Sequence, residues 1–296
     1  MARVAETEAV RARARPQAAV RRRGFNAGRV VLYAVLILIA LFFVIPLLWM
    51  ISTAFKFESD VFTDKGFIPA EPTLANFQRI MTATGQTPVF RWLLNSLIVS
   101  TVGTFLSVTL TSLSAYAFAR IDFPGRGALF ALLITTLLLP GVMFLVPQFI
   151  LVDILGLLNT LPALILPGLA GVFGVFFMRQ FFLGIPVELE EAAYVDGASR
   201  LRTFLSVVVP LAGPAIATLA VISFLAYWND YLWPLIVCQG EGCTLPPGLR
   251  NFQSSYTAAF GLLMAGATLA AIPVLIVYVA AQRWIVQSVT SAGIKG

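Results

Sequence analysis

RQFFLGIPVELEEAAYVDGASRLR (Arg179–Arg202) is a polar interruption between two long apolar stretches. Ile154–Met178 before it and Thr203–Asn229 after it contain no Asp, Glu, Lys or Arg. Each is long enough to cross a bilayer core as a helix, which takes about 20 apolar residues. The interruption carries Glu188, Glu190, Glu191 and Asp196 and therefore belongs in water. Pro186 followed by carboxylates reads as a helix start, because proline suits the first turn and acids suit the positive end of the helix dipole. Gly197 reads as a helix stop. The pattern predicts a short helix from about Val187 to Asp196. Glu188 and Glu191, three apart, share a face. Ala192 and Ala193 leave room for another protein's backbone to approach. The plain alternative is an acidic solvated loop with no partner.

Outward from this loop the alternation continues. Val30–Ile51, Trp92–Ala119, Ala128–Val152 and Asn251–Gln282 are also free of charged residues. Six spans are expected, at about 30–51, 92–119, 128–152, 160–178, 203–236 and 258–282. The third and fourth are parted by Asp153, with a turn through Gly156–Asn159 and Pro162 early in the next helix. Composition agrees: 59% of the 296 residues are hydrophobic and 11% are charged. A soluble domain carries roughly 25% charged residues, so a water-clothed globule is excluded, and so is a disordered chain. The short alternating strands of a membrane barrel are absent. The fold class is an all-α membrane protein with six transmembrane helices. A basic tail covers 1–29, a transmembrane domain 30–286 and a second tail 287–296.

Basic residues give the orientation. Arg3, Arg11, Arg13, Arg15, Arg21, Arg22, Arg23 and Arg29 precede the first span. Arg120, Arg126, Arg179, Arg200, Arg202, Arg283 and Lys295 fall on the same side, against Lys56, Lys65, Arg79, Arg91 and Arg250 on the other. Positive charge stays cytoplasmic. Both termini are therefore expected in the cytoplasm of a multi-pass cell-membrane protein, in contact with the lipid bilayer. The Arg-rich start is a topology signal and not a nucleic-acid site. The chain has no His, which removes His-based catalysis and metal binding, and its two Cys cannot form a Cys-rich metal cluster. No metal site and no catalytic residues are expected.

Three segments carry a resemblance. Glu191-Ala192-Ala193, three residues, Gly197, nine residues and Val207-Val208-Val209-Pro210 resembles the EAA loop of ATP-binding-cassette (ABC) importer permeases. In that family's pattern Ile and Leu stand where this chain has Val207 and Val209. Trp228-Asn229-Asp230-Tyr231-Leu232-Trp233-Pro234-Leu235 and the ending Gly293-Ile294-Lys295-Gly296 resemble sugar permeases. The likeness runs from the first span to the last residue and leaves out the first 24 residues. The chain is similar to the six-span subunit of the maltose-permease-like, binding-protein-dependent carbohydrate importers.

That resemblance implies the type I ABC importer permease fold, with a cytoplasmic coupling helix between spans four and five. It implies a second permease subunit, two ATPase subunits and an extracytoplasmic sugar-binding protein as partners. The chain has no G-x-x-x-x-G-K-[ST] phosphate loop, so it is not the ATP-hydrolysing part, and the resemblance implies a pore subunit that is not an enzyme. No cofactor is expected on this chain; ATP and Mg belong to the partner ATPases. Glu188, Glu191, Ala192, Ala193, Asp196, Gly197 and Pro210 are the residues expected to couple to an ATPase. Gly293, Lys295 and Gly296 are expected to contact it through the tail.

The transport path is read from residues alone. Ser96, Ser100, Thr104, Ser107 and Thr111 recur at steps of four, four, three and four, one helical face. Such a stripe fits a polar path, and it equally fits helix–helix contact. Asn229 and Asp230 lie near one end of span five, as a gate or as a structural hydrogen-bonding pair. Cys238 and Cys243 flank Gln-Gly-Glu-Gly on the non-cytoplasmic side, where a disulfide and two free thiols are both open readings. A permease for glycerol-phosphate or another polar solute is the near alternative. An ion-coupled secondary transporter is the distant one.

Overall fold

The computed structural model describes residues 27–83, 87–252 and 259–293, with side chains of the last helix described as far as Trp284. Every regular element among them is helical. Two compact units divide between Leu48 and Trp49. The first holds most of α1 (Ala27–Ala54), whose apolar run Gly28–Ala54 spans 27 residues. At 1.5 Å per residue that is about 40 Å, enough to cross a bilayer with some tilt.

The second unit begins with α2 (Ala75–Thr82), α3 (Val89–Arg120), α4 (Arg126–Thr135), α5 (Leu145–Ile154), α6 (Leu161–Ile165) and α7 (Val172–Leu183). It continues with α8 (Glu188–Val195), α9 (Arg200–Thr203), α10 (Val209–Leu211), α11 (Gly213–Trp228), α12 (Leu232–Val237), α13 (Leu245–Leu249) and α14 (Phe260–Gly293). Gly28–Ala54, Val89–Arg120, Gly213–Val237 and Phe260–Trp284 are long and apolar enough to span a membrane.

The other two expected spans are bent pairs. Arg126–Leu138 and Gly141–Ile154 meet at 100°, and Leu161–Leu169 and Val172–Leu183 meet at 46°. The apolar run Ala128–Val152 is therefore not one straight helix. Leu139 is extended (φ −84°, ψ 129°) immediately before Pro140, the conformation a following proline imposes. Ala170 and Gly171 leave helical geometry at the second break. Between the pairs, Gly156 and Asn159 both take positive φ, 66° and 60°, which makes the expected turn before Pro162.

Helix α3 is the centre of the second unit, packed on α7 and α11, with α11 in turn on α14. Two buried apolar clusters sit at opposite ends of α3. One gathers Val89, Trp92, Val99, Leu164, Val237 and Leu245. The other gathers Ala115, Tyr116, Met178, Phe182, Phe204 and Val208 around the start of the α8 segment. Between helices in lipid, close packing does what the hydrophobic effect does in water. Gly174 supplies it: a Cβ there would lie 2.8 Å from Thr111 Cγ2.

The end away from α8 is tied by polar contacts. Lys56, 1% exposed, donates to the carbonyls of Asp64 and Gly66 at 2.5 and 2.8 Å. Glu58 accepts the Phe260 and Gly261 N–H groups at 2.8 and 2.9 Å, satisfying free donors at the start of α14. Cys238 and Cys243 are joined as a disulfide, with Cα atoms 5.1 Å apart. Trp92 donates to Gly240 O at 2.7 Å, and Asn95 to Glu241 O and Cys243 O at 2.8 Å each. The disulfide loop is thus fastened to the first turns of α3.

Candidate functional site

The α8 segment is built by its ends. Glu188, Glu190 and Glu191 occupy its first turn, where the helix dipole favours negative charge. At the other end the Ala198 N–H reaches Ala193 O at 2.9 Å and the Gly197 N–H reaches Tyr194 O at 3.0 Å. This is a Schellman stop, which needs a left-handed residue. Gly197 provides it at φ 83°. The expected helix of about Val187 to Asp196 is observed as Glu188–Val195.

Glu188, Glu191 and Ala192 are exposed, Ala193 is half-buried, and Asp196 and Gly197 are exposed. Leu189 and Val195 also face outward, at 45% and 88% exposure. Glu190 alone among these acids points inward, at 2% exposure. Its Oε1 accepts Arg120 Nε at 2.6 Å and its Oε2 accepts the Tyr116 hydroxyl at 2.9 Å. Arg120 also donates Nη2 to Ile185 O at 2.6 Å. Beyond the loop, Ser199 caps α9 by accepting the Arg202 N–H at 3.4 Å. A π-turn then runs over Phe204–Val208, and one residue later comes Pro210. A proline lacks the N–H that would continue the ladder and crowds the preceding turn, and a π-turn relieves that crowding.

A second feature lies between the two apolar clusters. A cavity of about 250 Å³ is lined by Ser107 and Thr111 from α3, Ser223 and Tyr227 from α11, and Asp230 just after it. The structure therefore brings together Ser107, Thr111 and Asp230 from the expected path. It does not bring the others there. Ser96 accepts the Leu245 N–H at 2.8 Å, Ser100 is fully buried, and the Thr104 hydroxyl is buried against its neighbours. That half of the stripe packs helices. Asn229 is exposed and donates to Leu225 O at 3.0 Å within its own helix. Gly293 is the last described residue of α14, and Lys295 and Gly296 lie outside the described residues.

The stretch from Ser107 through α8 and into α14 matches a known family over residues 107–291, described as binding-protein-dependent transport system inner membrane component. The chain belongs to this family. It is thereby a membrane-embedded component of an ABC transporter and not the ATP-hydrolysing part. It is 36% identical over 262 residues to the arabinooligosaccharides transport system permease protein AraQ of Halalkalibacterium halodurans, covering 87% of this chain and 93% of that protein. It is 33% identical over 277 residues to the trehalose transport system permease protein SugB of Mycobacterium tuberculosis, covering 92% of this chain and all of that protein. In fold it is similar to a chain of a crystal structure of a bacterial ABC transporter involved in the import of the acidic polysaccharide alginate. The TM-score is 0.76 and the identity 23%, over 88% of this chain and 98% of the other.

Within this permease, sequence reading missed Tyr116, Arg120, Glu190 and Tyr227. A signal existed for the first two. Tyr116 and Arg120 are four apart, on one face of the C-terminal end of α3, and a polar face there needs a partner. Nothing in the linear sequence named Glu190 over Glu188 or Glu191 as that partner.

Proposed function

We propose that this chain is a pore-forming permease subunit of an ATP-driven sugar importer. It would pair with a second permease subunit, take substrate from an extracytoplasmic sugar-binding protein, and bind two ATPase subunits on the cytoplasmic side, where both of its termini lie. ATP and Mg act on those ATPases. The relatives named for arabinooligosaccharides and trehalose support a sugar as the cargo.

The observation that carries this reading is the presentation of α8. An exposed helix stands between two spans, stopped by Gly197 and latched by Glu190, with Glu188, Glu191 and Ala192 facing out. Glu191 would meet a basic group in an ATPase cleft, while Ala192 and Ala193 admit the cleft wall closely. Asp196 and Gly197 turn the chain away, and Pro210 sets the entry of span five. Gly293, Lys295 and Gly296 would reach the ATPases from the tail. Ser107, Thr111 and Asp230 would contribute polar groups to the cargo path.

Affinity purification from native membranes in mild detergent tests it. Two ATPase subunits and one second permease are expected with each copy of the chain, and Glu191→Arg is expected to remove the ATPases. A chain that purifies alone, under conditions that keep other importers whole, contradicts the reading.

A further inference from the structure

We propose that Arg120 and Glu190 are positioning residues for energy coupling: their buried pair makes the exposed α8 and the cavity-lining α3 move as one body. This rests on the reading of α8 as the ATPase-docking helix and adds how the chain would pass that motion on.

The geometry is a three-point fastening. Both carboxylate oxygens of Glu190 are used, one by Arg120 Nε at 2.6 Å and the other by the Tyr116 hydroxyl at 2.9 Å. The remaining arm of Arg120 holds Ile185 O at 2.6 Å, in the segment that leads into α8. The Tyr194 hydroxyl, from the last turn of α8, lies 3.3 Å from that of Tyr116. Tyr116 is itself wedged by Phe182 and Phe204, with ring centroids 6.2 and 4.8 Å away. The lead-in, the first turn and the last turn of α8 are thus all bound to one turn of α3.

The charges make the fastening directional. A planar guanidinium fixes two acceptors in one plane, which an ammonium cannot do. Glu190 is 2% exposed and Arg120 14%. Breaking such a pair leaves a buried charge without its partner, so the pair resists sliding. Helix α3 then continues without a proline or a break from Arg120 back to Val89. Thr111 and Ser107, which line the cavity, stand nine and thirteen residues from Arg120, about 14 and 20 Å along the axis. A push on α8 tilts a stiff rod whose middle bounds the cavity. A fastening through apolar contacts alone would let α8 roll, because those contacts are not directional.

The test uses the complete importer: this chain, the second permease, the ATPases and the binding protein, reconstituted in liposomes. Glu190→Gln, Arg120→Lys and the milder Tyr116→Phe are compared with the unaltered chain. Subunit stoichiometry is read first, then sugar imported per ATP hydrolysed. All three variants are expected to keep the unaltered stoichiometry, since Glu188, Glu191 and Ala192 are untouched. The import-to-hydrolysis ratio is expected to fall about ten-fold in Glu190→Gln and Arg120→Lys, and about two-fold in Tyr116→Phe, within the range of mutations along a coupling element. A ratio within two-fold of the unaltered chain in Glu190→Gln overturns the proposal. If Glu190→Gln does not assemble, Tyr116→Phe decides, and an unchanged ratio there overturns it. If instead the unaltered chain shows no ATP-driven uptake or no ATPase partner, the docking reading of α8 has failed, a separate result.

Discussion

The ring of Tyr227 fills the space that a side chain on Gly103 would need. A Cβ on Gly103 would stand 2.8 Å from Tyr227 Cζ, and one on Gly168 would stand 2.6 Å from the hydroxyl oxygen. The hydroxyl donates to Ile165 O at 3.2 Å. One ring thus spaces α11 from α3 and from the bend before α7, at the edge of the cavity.

Gly103→Ala is therefore expected to destabilise the chain by about 1–3 kcal/mol, the usual cost of overpacking a filled site. Thermal unfolding in detergent, followed by tryptophan fluorescence, checks it. Tyr227→Leu in the same chain should recover part of the loss, because a smaller, flexible side chain clears the new methyl group. An unaltered midpoint in Gly103→Ala would mean that the ring has room to move.

Gly197 is constrained differently. Nothing lies within 4 Å of a Cβ built there, but its φ is 83°. The cost of Gly197→Ala is thus confined to the backbone, about 1–2 kcal/mol, and Gly197→Asn should cost less because asparagine tolerates the left-handed region. Hydrogen exchange reads this directly. The Gly197 and Ala198 amides, which close the helix stop, should exchange faster in the alanine variant than in the asparagine variant. Equal protection in both would contradict the backbone account.

Asp64 gives a pH dependence. The N–H groups of Gly66 and Ala70 donate to its carboxylate at 2.9 and 3.1 Å. These two bonds are the main cause that holds its pKa below the ordinary 3.8; desolvation opposes them, and the Lys56 ammonium 3.6 Å away adds a lesser lowering. A group with a depressed folded-state pKa contributes stability above its ordinary pKa and loses it as pH falls through the folded value. The unfolding midpoint of the unaltered chain should exceed that of Asp64→Asn at neutral pH. The gap should close as pH drops below 3.8. A gap that is constant with pH would show that the carboxylate's charge plays no part.

Much of the architecture was legible because lipid imposes a simple rule. Charge-free runs of about 20 residues are expected to be helices, and Val89–Arg120 appeared where its run was, while the helix expected from Thr203 runs as Gly213–Val237, because 203–212 are taken up by short turns around Pro210. The α8 helix was legible for a related reason: its start and stop are local chemistry, Pro186 with acids and a left-handed Gly197. Direction was not legible. The run Ala128–Val152 is free of charge throughout, and that says nothing about the 100° bend at Leu139 and Pro140. The hydroxyl stripe on α3 has one periodicity but two environments, since Ser107 and Thr111 meet the cavity while Ser96 meets α13. Glu190 was hidden for the same reason. Three acids in one turn are equivalent until α3 supplies Arg120 on one side of them.

ATP-dependent uptake by the complete assembly in proteoliposomes is the measurement that bears most directly on the central claim. With the binding protein and sugar on one side and ATP on the other, uptake should require the ATPases and survive dissipation of every ion gradient. Glu191→Arg should abolish it. Uptake that persists without the ATPases and collapses with the ion gradient would contradict the account and make the chain an ion-coupled transporter.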